Sequence, residues 1–247
     1  MIPNPIHKVL STFQSCEVRA LLMGGQACVF YGAAEFSRDT DFAILADEAN
    51  LERLQRAIEE LQASVIAVPP FSREHLERGH AVHFRCQHSE AAGLRVDVMA
   101  HMRGVDDFPQ LWERRTTLQG EDGTVYELMS LPDLVQAKKT QRDKDWPMIR
   151  RLIEADRASC TGEPTAAQME FWMRECRTPE LLIELARHSP DDAKRIGDGE
   201  RPLLHLALVG KEAELENAME EEEHAERMAD RAYWLPLKQE LEQMRRG

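Results

Sequence analysis

The segment at residues 24–45 most constrains what this chain can fold into, because two glycines end one apolar run and two aspartates open another. A glycine pair after the apolar residues 21–23 lets backbone N–H groups come close to a phosphate. Asp39 and Asp41 are two residues apart, so on a strand their side chains point to the same face. Two neighbouring carboxylates repel each other unless a positive group lies between them, and carboxylate oxygens are preferred ligands of Mg²⁺. The pattern therefore indicates a site for a metal-bound nucleoside triphosphate.

A third acid, Asp97, lies in the alternating segment at residues 94–99 and shares a face with Arg95. If this strand lies beside the strand that carries Asp39 and Asp41, the three carboxylates converge. Such a cluster is typical of two-metal phosphoryl or nucleotidyl transfer, in which ions about 3.5–4 Å apart stabilise the entering and leaving oxygens. Asp97 is also the predicted acceptor of the proton from the hydroxyl that is modified.

Three short runs carry a resemblance to a known superfamily: MGGQA at residues 23–27, RDTDF at 38–42 and VDV at 96–98. They resemble the nucleotidyltransferase superfamily that includes DNA polymerase beta. More narrowly, they resemble small bacterial nucleotidyltransferases related to abortive-infection toxins, and residues 131–145 resemble the helix pair that follows the core in those proteins. The resemblance covers roughly residues 18–155. It implies an α/β (α+β) fold with a polymerase-beta-like core, in which helices flank a mixed sheet.

The same resemblance implies an enzyme that moves a nucleoside monophosphate from a nucleoside triphosphate to a hydroxyl and releases pyrophosphate. It implies that Mg²⁺ or Mn²⁺ is held by the catalytic residues Asp39, Asp41 and Asp97. It also implies that the nucleotide is bound by Gly24, Gly25, Arg38, Lys138 and Arg142. The glycines would act through their backbone at the start of a helix. The choice between Lys138 and Lys139 stays open, as does a role of Arg38 in pairing with an acid.

The acceptor also stays open, because similar proteins modify tRNA 3′ ends, protein hydroxyls or aminoglycoside-like small molecules. A net charge of −13 excludes nonspecific nucleic-acid binding over the whole surface and suits a cationic small molecule. The basic stretch at residues 138–151 suits RNA instead. Two alternatives are a non-catalytic nucleotide-binding or regulatory module, and the toxin of a toxin–antitoxin pair that uses the same chemistry.

The sequence predicts a nucleotidyltransferase domain at residues 1–158 and a helical C-terminal domain at 159–247. In the first domain, strands are predicted at residues 18–23, 41–46, 64–68, 81–85, 94–99 and 125–129. Helices are predicted at 5–16 and 26–34, a third helix is predicted to begin at about residue 50, and a fourth is predicted at 130–154 with a break at Pro147. In the second, helices are predicted at 166–175, 179–187, 202–209 and 212–245. This tail is expected to cover the acceptor cleft, to self-associate or to bind a partner such as an antitoxin.

The remaining composition indicates a cytoplasmic protein without a membrane partner. No apolar run approaches the roughly 20 residues that cross a bilayer, and the N-terminus lacks the layout of a signal peptide. The five cysteines have no zinc spacing, which predicts free thiols in a reducing compartment. The histidines near Cys86 fit no compact zinc set and are predicted to be exposed or half-buried: His75, His80, His83 and His88.

Overall fold

The structure is a computed structural model that describes residues 4–120 and 123–246. The chain forms two compact units. The first comprises Met1–Phe30, Ala34–Ala137 and Tyr233–Gly247, and the second comprises Tyr31–Ala33 and Lys138–Ala232. This division differs from the predicted one after residue 158, because residues 138–158 belong to the second unit and the last fifteen residues to the first.

The first unit has one mixed sheet, and its described helices are short or of moderate length. The strands are β1 Ala20–Met23, β2 Asp39–Ile44, β3 Ser64–Val65, β4 Val82–Arg85, β5 Arg95–Met99, β6 Thr116–Gln119 and β7 Val125–Leu128. The helices are α1 Asn4–Ser15, α2 Gly24–Phe30, α3 Glu48–Glu60, α4 Arg73–Arg78, α5 Phe108–Glu113 and α6 Leu131–Ala137. The seven strands lie in the order β3-β4-β5-β2-β1-β7-β6. The predicted mixed α/β class is confirmed.

The centre of this sheet sets the geometry of the predicted site. Strand β2 runs parallel to β5 and antiparallel to β1. Strands β4 and β5 pair antiparallel, as the hairpin predicted from residues 81–85 and 94–99 requires. The register places Asp41 between Asp97 on one side and Met23 on the other.

One face of the central strands is buried, and this leaves the acidic side chains on the other face. Phe42 of β2 stacks on Phe13 of α1, with ring centroids 4.5 Å apart. Val96 of β5 is completely buried. Because side chains alternate along a strand, burial of Phe42 and Val96 turns Asp41 and Asp97 to the opposite face. Packing of the apolar core thus determines where the acids point.

The buried side chain of Asn50 forms hydrogen bonds with the residues next to β1 and β2. The side chain of Asn50 accepts a hydrogen bond from the backbone N–H of Arg19 at 2.7 Å. Its amide group donates to the carbonyl oxygens of Arg19 and Leu45, at 3.0 and 2.8 Å. Asn50 is 1% exposed, so these hydrogen bonds satisfy polar groups that water does not reach. They connect the start of α3 to both β1 and β2.

The second unit consists of helices and their connections. These are α7 Asp145–Ser159, α8 Ala166–Glu175, α9 Pro179–His188, α10 Pro190–Gly199, α11 Leu204–Val209 and the part of α12 Glu212–Arg246 that precedes Tyr233. The all-helical character predicted beyond residue 159 is confirmed for the residues described. None of the described helices is both long and apolar enough to cross a membrane.

Several predicted boundaries are wrong. The break in the helix after Ser130 lies at residues 138–144, and Pro147 falls in the first turn of α7. Proline is tolerated in a first turn, because its missing N–H would have no partner within the helix there. The strand predicted at 64–68 has only two residues, and the helix predicted at 26–34 ends at Phe30. Strand β6 and helices α4, α5 and α10 were not predicted.

Candidate functional site

Two of the three predicted catalytic acids lie directly opposite each other on neighbouring strands. The register of β2 and β5 pairs Asp41 with Asp97, and pairs Asp39 with Arg95. Neighbouring strands are about 4.8 Å apart, and paired residues point to the same face. Asp39 is exposed, whereas Asp41 and Asp97 are half-buried. We call Asp39, Asp41 and Asp97 the carboxylate cluster.

Gly24 lies against this cluster, and the geometry at position 24 requires glycine. Gly24 has a φ of +67°, and a Cβ atom there would lie 1.9 Å from Oδ2 of Asp41. A Cβ atom on Gly25 would lie 2.6 Å from Oγ of Ser37. The backbone that opens α2 therefore contacts the acid of β2 directly. Because α2 has only seven residues, this close approach matters more than any helix dipole.

Arg95 and His83 surround the third acid. The Nε of Arg95 donates a hydrogen bond to Oδ1 of Asp97 at 2.7 Å. Nδ1 of His83 lies 2.9 Å from the same oxygen and 3.0 Å from Nη2 of Arg95. Which of these two contacts the imidazole makes depends on its tautomer. One carboxylate oxygen of Asp97 thus already faces a permanent cation.

This arrangement fixes the charge state of the site. Burial raises the pKa of Asp97, but hydrogen bonds with His83 and Arg95 outweigh burial and hold that pKa below its usual value. The hydrogen bond to Asp97 raises the pKa of Arg95, and the negative charges of Asp39 and Asp41 raise it further. The guanidinium is therefore the counter-ion of Asp97. Asp97 is anionic at neutral pH.

The fit to a divalent cation differs among the three acids. Asp39 and Asp41 offer carboxylate oxygens on one face of one strand, which is the donor chemistry that Mg²⁺ and Mn²⁺ prefer. The absence of a side chain on Gly24 lets Oδ2 of Asp41 approach the backbone that opens α2. Across residues 4–120 and 123–246, however, no three or more His, Cys, Asp or Glu side chains are grouped to hold a metal ion. The cation site at Asp39, Asp41 and Asp97 therefore stays a prediction, and Asp97 is paired with Arg95.

The residues between the glycines and the acids shape the entry into β2. Ser37 Oγ donates to the backbone carbonyl of Asp39 at 3.0 Å, so this hydroxyl stabilises the turn. Arg38 is exposed at the start of the strand. Its proposed contact with a phosphate stays a prediction.

The predicted triphosphate-binding lysine and arginine lie in the second unit. Nζ of Lys138 is 3.3 Å from Asp145 Oδ1, and Nε of Arg142 is 2.7 Å from Asp145 Oδ2. Lys139 forms an ion pair with Glu175 at 2.8 Å. Each of these cations thus has an acidic partner within its own unit. Their roles in nucleotide binding stay predictions from the resemblance.

The histidine-rich segment forms ordinary polar contacts. His80 is buried, which corrects the expectation of an exposed or half-buried side chain. Its Nε2 lies 2.8 Å from Oε2 of Glu240, and Nδ1 of His75 lies 2.8 Å from Oγ of Ser72. All five cysteines are free, as predicted, and Cys28, Cys86 and Cys176 are buried.

Arg95 and Asp97 were predicted to share one face of their strand, but the ion pair between them was not predicted. The signal was present, because residues two apart on a strand share a face. No model of a known protein family matches the chain, and the comparison with curated proteins finds no match. The resemblance therefore depends on the motif residues themselves.

Proposed function

We propose that this protein is a divalent-cation-dependent nucleotidyltransferase with a polymerase-beta-like core. It would transfer a nucleoside monophosphate from a nucleoside triphosphate to an acceptor hydroxyl and release pyrophosphate. The observation that supports this proposal most directly is the contact between Gly24 and Asp41, together with the pairing of Asp41 and Asp97. A glycine backbone for a phosphate and a set of carboxylates for its cation thus lie within one small area.

The protein groups of the proposed site have separate roles. Backbone N–H groups at Gly24 and Gly25 would bind triphosphate oxygens, and Gly24 allows the carboxylate of Asp41 to lie beside the same backbone. Asp39 and Asp41 hold the cation. When bound, that ion supplies positive charge to the phosphate oxygens and to the leaving pyrophosphate. The acceptor oxygen forms a bond to the α-phosphorus, and the bond from that phosphorus to its bridging oxygen breaks.

The role of Asp97 is narrower than the sequence suggested. Its pKa is lowered, so it is a weaker proton acceptor than an ordinary carboxylate. Its negative charge instead holds Arg95 in place. We therefore assign Asp97 to the charge balance of the site, and the proton of the acceptor hydroxyl leaves to solvent.

The experiment measures which phosphate of a labelled nucleoside triphosphate is transferred to the acceptor. The full chain is incubated with Mg²⁺ and each of the four triphosphates, labelled at the α-phosphate or, separately, at the γ-phosphate. Total RNA, an aminoglycoside and the chain itself serve as acceptors. Nucleotidyl transfer moves the α label and leaves the γ label in pyrophosphate. Transfer of the γ label would instead show a kinase and would refute the proposal.

The variant that tests the site is Asp41→Asn, which keeps the size of the side chain and removes its charge. This variant is expected to fold normally and to lose α-label transfer by at least about 100-fold, because the ligand to the cation is lost. Full activity of Asp41→Asn would contradict the role of Asp41 in the site.

One observation favours a second candidate, a non-catalytic nucleotide-binding module. Asp97, which would complete a two-cation site, is paired with Arg95. Such a module would bind nucleoside triphosphates in a calorimeter but transfer neither label. The toxin alternative shares the chemistry of the enzyme, and growth arrest on expression that Asp41→Asn abolishes would identify it.

A further inference from the structure

Phe36 carries an aromatic ring that the fold leaves in contact with water. The chain has eight phenylalanines, all of which the structure describes, and Phe36 is the only exposed one, at 67%. A side chain of this kind is usually buried, because the removal of apolar surface from water is favourable. Packing of the core therefore does not account for this ring.

The position of Phe36 in the first unit is beside the glycine pair. A Cβ atom on Gly25 would lie 2.6 Å from Oγ of Ser37, so the backbone of Gly25 and the side chain of Ser37 are neighbours. Phe36 directly precedes Ser37, and consecutive Cα atoms are about 3.8 Å apart. The hydrogen bond from Ser37 Oγ to the carbonyl oxygen of Asp39, at 3.0 Å, connects this part of the loop to the first residue of β2. Phe36 is therefore held near the backbone to which the proposed function assigns the triphosphate.

The residues on either side of Phe36 are polar or charged. Glu35 and Arg38 are exposed, and Ser37 is half-buried. A surface that binds another protein is usually a contiguous apolar patch, and the sequence of this loop does not supply one. An aromatic ring with a guanidinium two residues away instead suits a ligand that carries a flat aromatic group and a phosphate. A nucleoside triphosphate has both.

We propose that the ring of Phe36 stacks on the base of the bound nucleoside triphosphate. This inference rests on the proposed function, which places a triphosphate at Gly24 and Gly25, and it adds the group that contacts the base. Every nucleobase has an aromatic face, so the same contact holds each of the four bases. The contact involves neither a metal ion nor a side chain of the carboxylate cluster.

The experiment measures by calorimetry how tightly the full chain binds ligands with and without a base. The ligands are the four nucleoside triphosphates and inorganic tripolyphosphate, each with Mg²⁺. Phe36→Ala removes the ring, Phe36→Leu keeps an apolar side chain without a ring, and Phe36→Tyr keeps an aromatic one. The matched control is Val65→Ala, which truncates another exposed apolar side chain of the first unit, on β3. Circular dichroism spectra establish that each variant is folded.

The expected losses are confined to the ligands that have a base. Phe36→Ala and Phe36→Leu should bind each nucleoside triphosphate at least about fivefold more weakly than the wild type, which is the lower end of the effect of removing a stacked side chain. Phe36→Tyr and Val65→Ala should bind the nucleoside triphosphates as the wild type does. The affinity for tripolyphosphate should be the same in every variant, because this ligand has no base to stack.

Two results would overturn the inference and leave the proposed function in place. The first is a variant without a ring, Phe36→Ala or Phe36→Leu, that binds the nucleoside triphosphates as tightly as the wild type. The second is a loss of affinity for tripolyphosphate by the same factor, which would show that the substitution disturbs the phosphate site instead of a contact with the base. A wild type that binds neither nucleoside triphosphates nor tripolyphosphate would contradict the proposed function itself, and the inference with it.

Discussion

The substitution Gly24→Ala tests the close approach on which the proposed site depends. Two costs can be worked out from the structure. A φ of +67° costs a non-glycine residue about 1–2 kcal/mol. The added Cβ atom would also lie 1.9 Å from Oδ2 of Asp41, and forced overpacking of this kind costs about 1–3 kcal/mol. The expected loss in the free energy of unfolding is therefore about 2–5 kcal/mol.

A second glycine separates the two costs. Gly93 has a φ of +81°, and a Cβ atom there would meet nothing within 4 Å. Gly93→Ala should therefore lose only the backbone cost, about 1–2 kcal/mol. Urea unfolding followed by circular dichroism gives the free energy of unfolding of each variant. Nucleotide binding is expected to be lost in Gly24→Ala and kept in Gly93→Ala.

The assignment of the extra cost to Asp41 can be checked with a double-mutant cycle. A Cβ atom on residue 24 would lie 2.7 Å from Cβ of Asp41, so only glycine at position 41 relieves the clash completely. In an Asp41→Gly background, the cost of Gly24→Ala should fall by about 1–3 kcal/mol. If Gly24→Ala lowers the free energy of unfolding no more than Gly93→Ala does, the backbone at Gly24 does not contact Asp41. The argument that Gly24 and Gly25 bind a phosphate beside Asp41 would then fail.

Three further predictions concern ionisable groups elsewhere in the two units. The pKa of Asp97 is lowered, so the wild type should have a larger free energy of unfolding than Asp97→Asn. In urea titrations this difference should be complete above about pH 4 and should shrink on further acidification, and a constant difference would contradict the prediction. Asp145 is 1% exposed and pairs with the buried Lys138, so Asp145→Ala should cost about 3–5 kcal/mol in urea unfolding, whereas a cost below about 1 kcal/mol would show that the pair is solvated. Burial raises the pKa of the Cys86 and Cys176 thiols to about 11, so both should resist iodoacetamide at pH 8 in the native protein, as mass spectrometry of the labelled peptides can show; rapid labelling of either would contradict its burial.

Local periodicity was sufficient to predict the central part of the first unit. An apolar run predicted the strand that follows Asp41, and alternating apolar residues predicted the strand of Asp97. Side-chain alternation predicted which face each acid occupies. The hairpin of β4 and β5 followed from two alternating runs separated by a turn. In the second unit, α8 was predicted to the residue, and in the structure Thr165 and Gln168 form a capping box at its start.

The elements that were missed lack such a local signal. Strand β6, with the sequence TTLQ, has no buried residue and owes its position to pairing with β7. Helix α4 has six residues and one buried side chain, Leu76, so it shows no helical periodicity. The break between α6 and α7 depends on Asp145, which accepts hydrogen bonds from three residues of the connection. Contacts of this kind form only after folding, and a sequence pattern does not contain them.

Side-chain alternation also predicts the position of Arg95, and this part of the pattern was not used when the site was predicted. Alternation places Asp97 on the face of the carboxylate cluster, and it places Arg95 there as well, two residues earlier. Counting only the acids on that face predicts a strongly negative site that needs two divalent cations. The same face also carries Arg95, and Arg85 and His83 of β4 lie opposite Arg95 and Asp97 in the register. The basic residues of a face therefore have to be counted together with its acidic motif before metal ions are assigned to it.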